Sequence, residues 1–206
     1  GDEALLDRMM SEHKFDAVVH FACSIVVPDS VRDPLGYYLN NTVKSRMLMA
    51  CAVKAGIARF IFSSTAAVYG NTAAQPVFED APLAPISPYG SSKLMTEWML
   101  KDAHAAHGLQ YVALRYFNVA GGDPKGRIGQ STPRATHLIK VACQAALGQR
   151  DSLEVFGTDY DTPDGTCLRD YIHVSDLIAA HVDALAHLRK GGESGIFNCC
   201  LLYTSD

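Results

Sequence analysis

The chain has 206 residues, of which 48% are hydrophobic, so it can bury a sizeable core in one or two domains. Its formal net charge is −4, from 18 basic and 22 acidic residues, and no basic block stands out, which argues against nucleic acid or a membrane surface as a partner. No apolar run approaches the roughly 20 residues of a spanning helix and no signal peptide opens the chain, so we expect a cytoplasmic protein.

Strand-like and helical segments alternate along the first part of the chain. In chain order they are a helical run at 3–12, a strand at 16–22, a helix at about 35–55, a strand at 59–64, a helix at 88–107 and a strand at 110–116. Gly56 and Gly108 follow the second and third helices, and Ser87-Pro88 begins the third. This alternation predicts βαβ units, and therefore an α/β fold with a parallel sheet.

A second region begins near residue 119 and is rich in glycine, proline, serine and threonine. Its predicted elements are a loop at 121–136, a helix at about 136–147, a strand at 153–156 and a polar loop at 157–168. The chain then returns to a strand at 170–174, a helix at 175–188 and a short strand-like run at 196–199.

The six cysteines are scattered, without a C-x-x-C spacing and without histidines at metal-ligand intervals. Cys199 and Cys200 are adjacent, which is poor geometry for a mutual disulfide. The pattern predicts free thiols in a reducing compartment and no metal site.

Tyr89 and Lys93 form a Y-x-x-x-K pair on the predicted helix 88–107. Because a helix repeats every 3.6 residues, the phenol and the ammonium lie on one face, where the cation can favour phenolate and make the tyrosine an acid–base catalyst. The same spacing also occurs on ordinary surface helices. Its context favours catalysis, since the strand 59–64 ends in Ser63-Ser64-Thr65, and an open α/β sheet binds its ligands at the carboxyl ends of strands.

Further motifs surround this pair in a fixed order. They are HFA at 20–22, DPLGYYLNN at 33–41, FSSTAAVYG at 62–70, SPYGSSK at 87–93, LRYFN at 114–118, and DGT at 164–166 followed by RDYIHV at 169–174. By these six motifs the chain resembles the extended short-chain dehydrogenase/reductases and, more narrowly, the UDP-glucose 4-epimerases of the bacterial type.

The resemblance implies a partial Rossmann-type, doubly wound parallel sheet with part of a smaller C-terminal substrate lobe. Residues 1–118 and 169–199 would form part of the NAD-binding domain, 119–168 part of the UDP-sugar-binding lobe, and 200–206 an atypical tail. No glycine-rich strand-to-helix turn precedes residue 16, although a dinucleotide pyrophosphate needs one. In family terms the first two βα units are missing, so we expect the chain alone to bind NAD poorly and to be inactive.

The resemblance also implies the roles of individual residues. Tyr89 would be the acid–base catalyst, Lys93 would lower its pKa and hold the nicotinamide ribose, and Thr65 would bridge the tyrosine and the sugar C4 oxygen. The positions that match cofactor contacts are Phe21, Ala22, Asn40, Ser63 and Phe117, together with Tyr89 and Lys93. Packing alone can account for the two phenylalanines and Ala22, whereas Asn40, polar in a largely apolar helix, needs a ligand or a backbone hydrogen bond.

Asn118, His137 and Arg169, with Thr65, match positions that hold the UDP-sugar. The guanidinium of Arg169 suits a diphosphate, although a salt bridge with Asp170 would also explain it. His137 can equally be a capping or exposed histidine. Ile25 departs from the pattern, because some family members carry a lysine there that contacts the cofactor.

The implied activity is the interconversion of UDP-galactose and UDP-glucose through a 4-keto intermediate, with tightly bound NAD. The implied assembly is a homodimer through helices 35–55 and 88–107. A 4,6-dehydratase would need an acidic pair just after the threonine, where this sequence has Ala66-Ala67. Epimerases of UDP-glucuronate or UDP-N-acetylglucosamine, UDP-glucuronate decarboxylases and a non-catalytic remnant are alternatives, although the loop at 164–166 favours the UDP-glucose branch.

Overall fold

The computed structural model describes residues 1–72, 76–132 and 136–200 of the chain. These residues form two compact units. The first contains Gly1–Tyr116 and His181–Asn198, and the second contains Phe117–Ala180 with Cys199 and Cys200. Apart from Cys200, the tail predicted at 200–206 lies outside the described residues.

The strands are β1 (Ala17–His20), β2 (Arg59–Ser63), β3 (Gln110–Tyr116), β4 (Asn118–Ala120), β5 (Tyr171–His173) and β6 (Gly195–Cys199). The helices are α1 (Glu3–His13), α2 (Val27–Arg32), α3 (Pro34–Tyr37), α4 (Lys44–Lys54), α5 (Pro88–His107), α6 (Leu138–Ala146) and α7 (Val174–Arg189). A π-helical segment, Tyr38–Val43, joins α3 to α4, and a 3-10 turn, Ala66–Val68, follows β2.

The first unit is built on a four-stranded sheet of order β1-β2-β3-β6. The strands β1, β2 and β3 are parallel, with His20 opposite Phe62 and Ser63 opposite Leu114. Since β2 lies between two other strands and is covered by helices, the side chains of Phe60, Ile61 and Phe62 are completely buried. The predicted α/β fold with a parallel sheet is therefore confirmed.

Helices α4 and α5 pack against one face of this sheet. The buried cluster between them consists of Met49, Phe60, Phe62, Leu100, Leu109, Tyr111 and Ala113. Phe60 and Phe62 alternate with Ile61, as do Tyr111 and Ala113 with Val112, because side chains of a strand point to opposite faces in turn. Helix α5 thus packs on the face of the sheet that carries these side chains of β2 and β3.

Helix boundaries follow the capping residues that the sequence offers. The Ser87 side chain accepts a hydrogen bond from the Gly90 N–H at the start of α5, and Gly108, with φ +72°, ends the helix in the left-handed conformation. The helix predicted at 35–55 is present from Pro34 to Lys54, but its middle is π-helical.

The strand predicted at 153–156 is wrong. Val155 and Phe156 are 62% and 80% exposed, and no strand within the described ranges pairs with this segment. An apolar run without a pairing partner cannot satisfy the backbone of a strand. Helix α2, strand β4 and the 3-10 turn were not predicted.

The second unit contains the parallel pair β4 and β5, in which Asn118 lies opposite Tyr171. Its helix α6 has no buried residue. Within residues 1–72, 76–132 and 136–200, none of the helices has the length and apolar character that crossing a membrane would require.

Leu100 is completely buried in the cluster under α5. We expect Leu100→Ala to lower the free energy of unfolding by about 2–5 kcal/mol, because the substitution leaves a cavity that the rigid sheet cannot fill. Urea denaturation of the chain followed by circular dichroism measures this. The control is Leu35→Ala, since Leu35 is 78% exposed; equal losses from both substitutions would contradict the packing described here.

Candidate active site

The carboxyl end of β2 faces the first turns of α5. Gly90 permits this close approach, because a Cβ on that residue would lie 2.6 Å from the carbonyl oxygen of Ala67 in the 3-10 turn. Tyr89, one residue earlier, is partly buried. The structure therefore brings Ser63, Thr65, Tyr89 and Lys93 together at the edge of the sheet where ligands bind in open α/β folds.

Lys93 is almost completely buried, with 3% of its surface exposed. Its Nζ donates a hydrogen bond to the carbonyl oxygen of Ser63 at 2.7 Å and lies 4.9 Å from the centre of the Phe62 ring. Burial lowers the pKa of Lys93, while a hydrogen bond to Cys23 and the charge of Glu97 act in the opposite direction. The ammonium is thus held against the end of β2.

The Thr65 side chain lies close enough to the Tyr89 phenol to affect its pKa. Burial raises the pKa of Tyr89 to about 12, and the Thr65 side chain opposes this rise. The Lys93 ammonium is directed to the Ser63 carbonyl, and its effect on the pKa of Tyr89 stays a prediction. The residues of the chain therefore hold Tyr89 in its protonated form at neutral pH.

Asn40 has three side-chain partners, one of which is Asn41 Oδ1 at 3.5 Å. The Asn40 Nδ2 also donates to the Ser24 hydroxyl at 2.9 Å, and the Asn40 Oδ1 accepts from Lys44 at 2.9 Å. The neighbouring Asn41, which sequence reasoning missed, is completely buried and bonds the backbone N–H and carbonyl of Ser24 and the hydroxyl of Ser92. The π-helical segment uses both amides to fix the loop that follows β1.

The remaining predicted cofactor positions of the first unit surround this centre. Phe21 and Ala22 follow β1 directly and are exposed, and the Phe21 ring lies 4.6 Å from the ring of His181. The Ser63 hydroxyl is hydrogen-bonded to the phenol of Tyr116.

Four predicted residues lie in the second unit. Phe117 is 36% exposed, and the Asn118 side chain donates to the carbonyl oxygen of Asp170 at 3.0 Å. His137 accepts from Gln130 through Nδ1 at 3.0 Å, without capping α6 by its side chain. Arg169 is exposed and donates to the Leu168 carbonyl; among the described residues it forms no salt bridge with Asp170.

Sequence reasoning also missed a buried ion pair beside the site. Arg115 donates to the Glu97 carboxylate from both Nε, at 3.0 Å, and Nη2, at 2.7 Å, and the two side chains are 2% and 1% exposed. Two features of the sequence indicate it. Glu97 lies four residues after Lys93 on the same helical face, and Arg115 is a charged residue inside an apolar strand.

Within the described ranges, no group of three or more histidine, cysteine or acidic side chains is arranged to hold a metal ion. All six cysteines are free thiols.

Known proteins resemble this chain over nearly its whole length. The sequence profile described as "NAD dependent epimerase/dehydratase family" matches residues 1–200. A UDP-glucose 4-epimerase of Azospirillum brasilense is 66% identical over 199 residues, which is 97% of this chain and 57% of the relative. The chain thus spans a little over half the length of that protein.

Solved structures give the same result. The UDP-glucose 4-epimerase of Brucella ovis in complex with NAD is 46% identical, with a TM-score of 0.94, and the match covers 97% of this chain and 61% of that one. The UDP-glucose 4-epimerase of Bifidobacterium longum in complex with NAD+ and UDP is 39% identical, with a TM-score of 0.88, and covers 96% and 59% respectively.

His20, at the end of β1, is buried beneath this site. Its Nε2 lies 2.8 Å from the Ser45 hydroxyl, which itself donates to the carbonyl oxygen of Asn41. Burial lowers the pKa of His20 to about 4, and the charge of Lys93 adds to this effect. The folded protein therefore favours the neutral imidazole.

This burial makes stability depend on pH. Between about pH 6.5 and pH 4 the unfolded state binds more protons, so the contribution of His20 is intact above pH 6.5 and is lost as the pH falls through this window. We expect the wild-type chain to lose about 2 kcal/mol more unfolding free energy than His20→Gln between pH 7 and pH 5. Urea denaturation at both pH values measures the difference. His13→Gln, at an exposed histidine, is the control and should behave like the wild type.

Proposed function

We propose that this chain, which belongs to the NAD dependent epimerase/dehydratase family, forms the acid–base centre of a UDP-glucose 4-epimerase. The protein that contains it would interconvert UDP-galactose and UDP-glucose. The observation that carries the proposal is the group of Thr65, Tyr89 and Lys93 at the carboxyl end of β2. The 66% identity to a UDP-glucose 4-epimerase supports this substrate pair.

Tyr89 would transfer the proton of the sugar C4 hydroxyl. With a pKa of about 12 the phenol is protonated at neutral pH, so the chain by itself prepares Tyr89 as the acid of this transfer. To act as the base, Tyr89 needs added positive charge, and each pH unit by which its pKa falls corresponds to about 1.4 kcal/mol. Thr65, whose side chain lies close to Tyr89, would align the C4 oxygen with the phenol.

The residues present fit NAD as the cofactor. An exposed aromatic ring and a small apolar residue, Phe21 and Ala22, follow β1, and the buried ammonium of Lys93 offers donors suited to ribose hydroxyls. Asn40 and Ser63, with Tyr89 and Lys93, would complete the contacts from the first unit. When bound, NAD supplies reversible hydride transfer, while the protein provides orientation and the proton.

The second unit would contribute to holding the UDP-sugar. Asn118, His137 and Arg169 are the proposed contacts, and Phe117 is proposed as a cofactor contact. The exposed guanidinium of Arg169 presents planar donors that suit a diphosphate. We accordingly propose that residues 1–118 and 169–199 belong to the cofactor domain and 119–168 to the substrate lobe.

We further propose a homodimer in the cytoplasm. A surface cavity of about 530 Å³ between α4 and α5 supports a second copy as the partner, with a largely apolar lining that includes Met49, Val53, Met99 and Ala103. The six free cysteines support a reducing compartment.

The substrate assignment is tested in a chimera. In it, the matched segment of this chain replaces the corresponding segment of the Azospirillum brasilense relative, so that every part of a full-length enzyme is present. We expect the chimera to convert UDP-galactose to UDP-glucose, measured by anion-exchange chromatography, within about tenfold of the rate of that relative. Turnover of UDP-glucuronate but not of UDP-galactose, by a folded chimera that retains NAD, would show the assignment to be wrong.

The role of Tyr89 is tested by Tyr89→Phe in the same chimera. We expect kcat to fall by about 10²-fold to 10⁴-fold, because only the proton-transferring hydroxyl is removed, while the chimera still folds and binds NAD. The control is Tyr111→Phe, which removes a phenol near the amino end of β3, away from the Thr65 end of the sheet. Wild-type turnover by Tyr89→Phe would exclude Tyr89 as the catalyst.

A further inference from the structure

Three consecutive residues, Ser63 at the end of β2 and Ser64 and Thr65 directly after it, each lie against a different residue of α5. The Ser63 carbonyl accepts from Lys93 and the Ser64 hydroxyl donates to Glu97. The Thr65 side chain lies close enough to Tyr89 to affect its pKa. The three helical residues are spaced by four and therefore follow one stripe of the helix. The strand end thus contacts three successive turns of α5.

The hydrogen bond between Ser64 and Glu97 is reinforced by further bonds to the Glu97 carboxylate. Glu97 Oε1 accepts from both the Ser64 hydroxyl and Arg115 Nε, and Oε2 accepts from Arg115 Nη2. Arg115 also donates to the Tyr69 phenol at 2.8 Å, and that phenol donates to Asn198 on β6 at 2.7 Å. The carboxylate is therefore fixed by Ser64 and Arg115, and Arg115 is itself held by Tyr69, which bonds Asn198 on β6.

Stability alone is a weak explanation for this arrangement. Removing two charges from water costs free energy that their attraction regains only with good geometry, and apolar pairs of similar volume are often as stable. A bidentate pair does, however, define position and direction more narrowly than apolar packing does. The Glu97 carboxylate of this pair also accepts from Ser64, the residue directly before Thr65.

We propose that Glu97 and Arg115 are positioning residues that act through Ser64 to hold the Thr65 hydroxyl against Tyr89. Ser64 is fixed twice, since its N–H also donates to the Leu114 carbonyl at 2.9 Å. Loss of the Ser64 hydroxyl leaves the ion pair intact but removes the side-chain hydrogen bond between Ser64 and α5. Thr65 then loses the constraint that keeps it aligned with the phenol. As a statement about catalysis, this inference rests on the proposed epimerase function.

The test is Ser64→Ala in the chimera. We expect kcat for UDP-galactose to fall about 10-fold to 100-fold, because small misplacement of a catalytic group is costly, with KM changed by less than about twofold. Because the Thr65 side chain opposes the rise in the pKa of Tyr89, its displacement should also move the acidic limb of the pH–rate profile to higher pH.

The matched control is Thr96→Val, which removes a buried hydroxyl whose partner among the described residues is the Ser92 carbonyl of the same helix. It should lower stability without moving kcat or the pH profile. Ser64→Thr restores the hydroxyl and should recover most of the lost rate. A wild-type kcat and pH profile in Ser64→Ala, or an equal loss of rate in Thr96→Val, would overturn the proposal.

A second readout is independent of turnover. The Ala67 N–H donates to the Thr65 hydroxyl at 3.2 Å, so its hydrogen exchange reports how firmly Thr65 is held. In the chain itself we expect Ser64→Ala to speed this exchange about tenfold and Thr96→Val to leave it unchanged. Faster exchange in Ser64→Ala together with an inactive wild-type chimera would refute the epimerase function but not the positioning. Unchanged exchange would refute the positioning, whatever the activity.

Discussion

The contact on which this structure most depends is the junction between the carboxyl end of β2 and the face of α5 that carries Tyr89, Lys93 and Glu97. β2 lies between two parallel partners, so its position is set by two ladders of backbone bonds. The helix is then located against the strand by an ammonium, a carboxylate and a phenol. Gly90 allows this approach, because any larger residue would meet the Ala67 carbonyl.

The electrostatics of the junction follow from its burial. Desolvation lowers the pKa of Lys93 and raises that of Tyr89, so it disfavours the charged form of both groups. The Glu97 carboxylate tends to keep Lys93 protonated, while Arg115 balances the carboxylate itself. The phenol of Tyr89 is therefore neutral at neutral pH in this chain.

Local signals in the sequence were sufficient where capping residues and a clear period coincide. Helix α5 begins at Pro88 and ends at His107 as predicted, because Ser87 and Gly108 are unambiguous caps, and β3 has its predicted bounds as well. The segment at 153–156 has the apolar character of a strand but lacks a neighbour to pair with, and pairing is a property of the whole fold. The π-helical segment could not be predicted either, since it depends on how Asn40 and Asn41 bond the loop after β1.

In the candidate site, too, local sequence fixes some features while others depend on the whole fold. Tyr89 and Lys93 could be predicted to share a helical face, because their spacing fixes this. The direction of the Lys93 ammonium could not, since it depends on where the Ser63 carbonyl and Cys23 lie in three dimensions. Glu97 lies on the same helical stripe as Tyr89 and Lys93, so its position on that face could be predicted. Its partners could not, because Ser64 follows β2 and Arg115 lies on β3.

Helix α5 also explains why these features are coupled. One stripe of the helix carries Tyr89, Lys93 and Glu97, while Leu100 packs on the sheet and Met99 and Ala103 line the cavity shared with α4. A rigid helix transmits a displacement at one of these surfaces to the others, because packed interiors cannot absorb it locally. The contacts of Ser63, Ser64 and Thr65 with α5 therefore fix more than one side chain, since they define the height and rotation of the whole helix relative to the sheet.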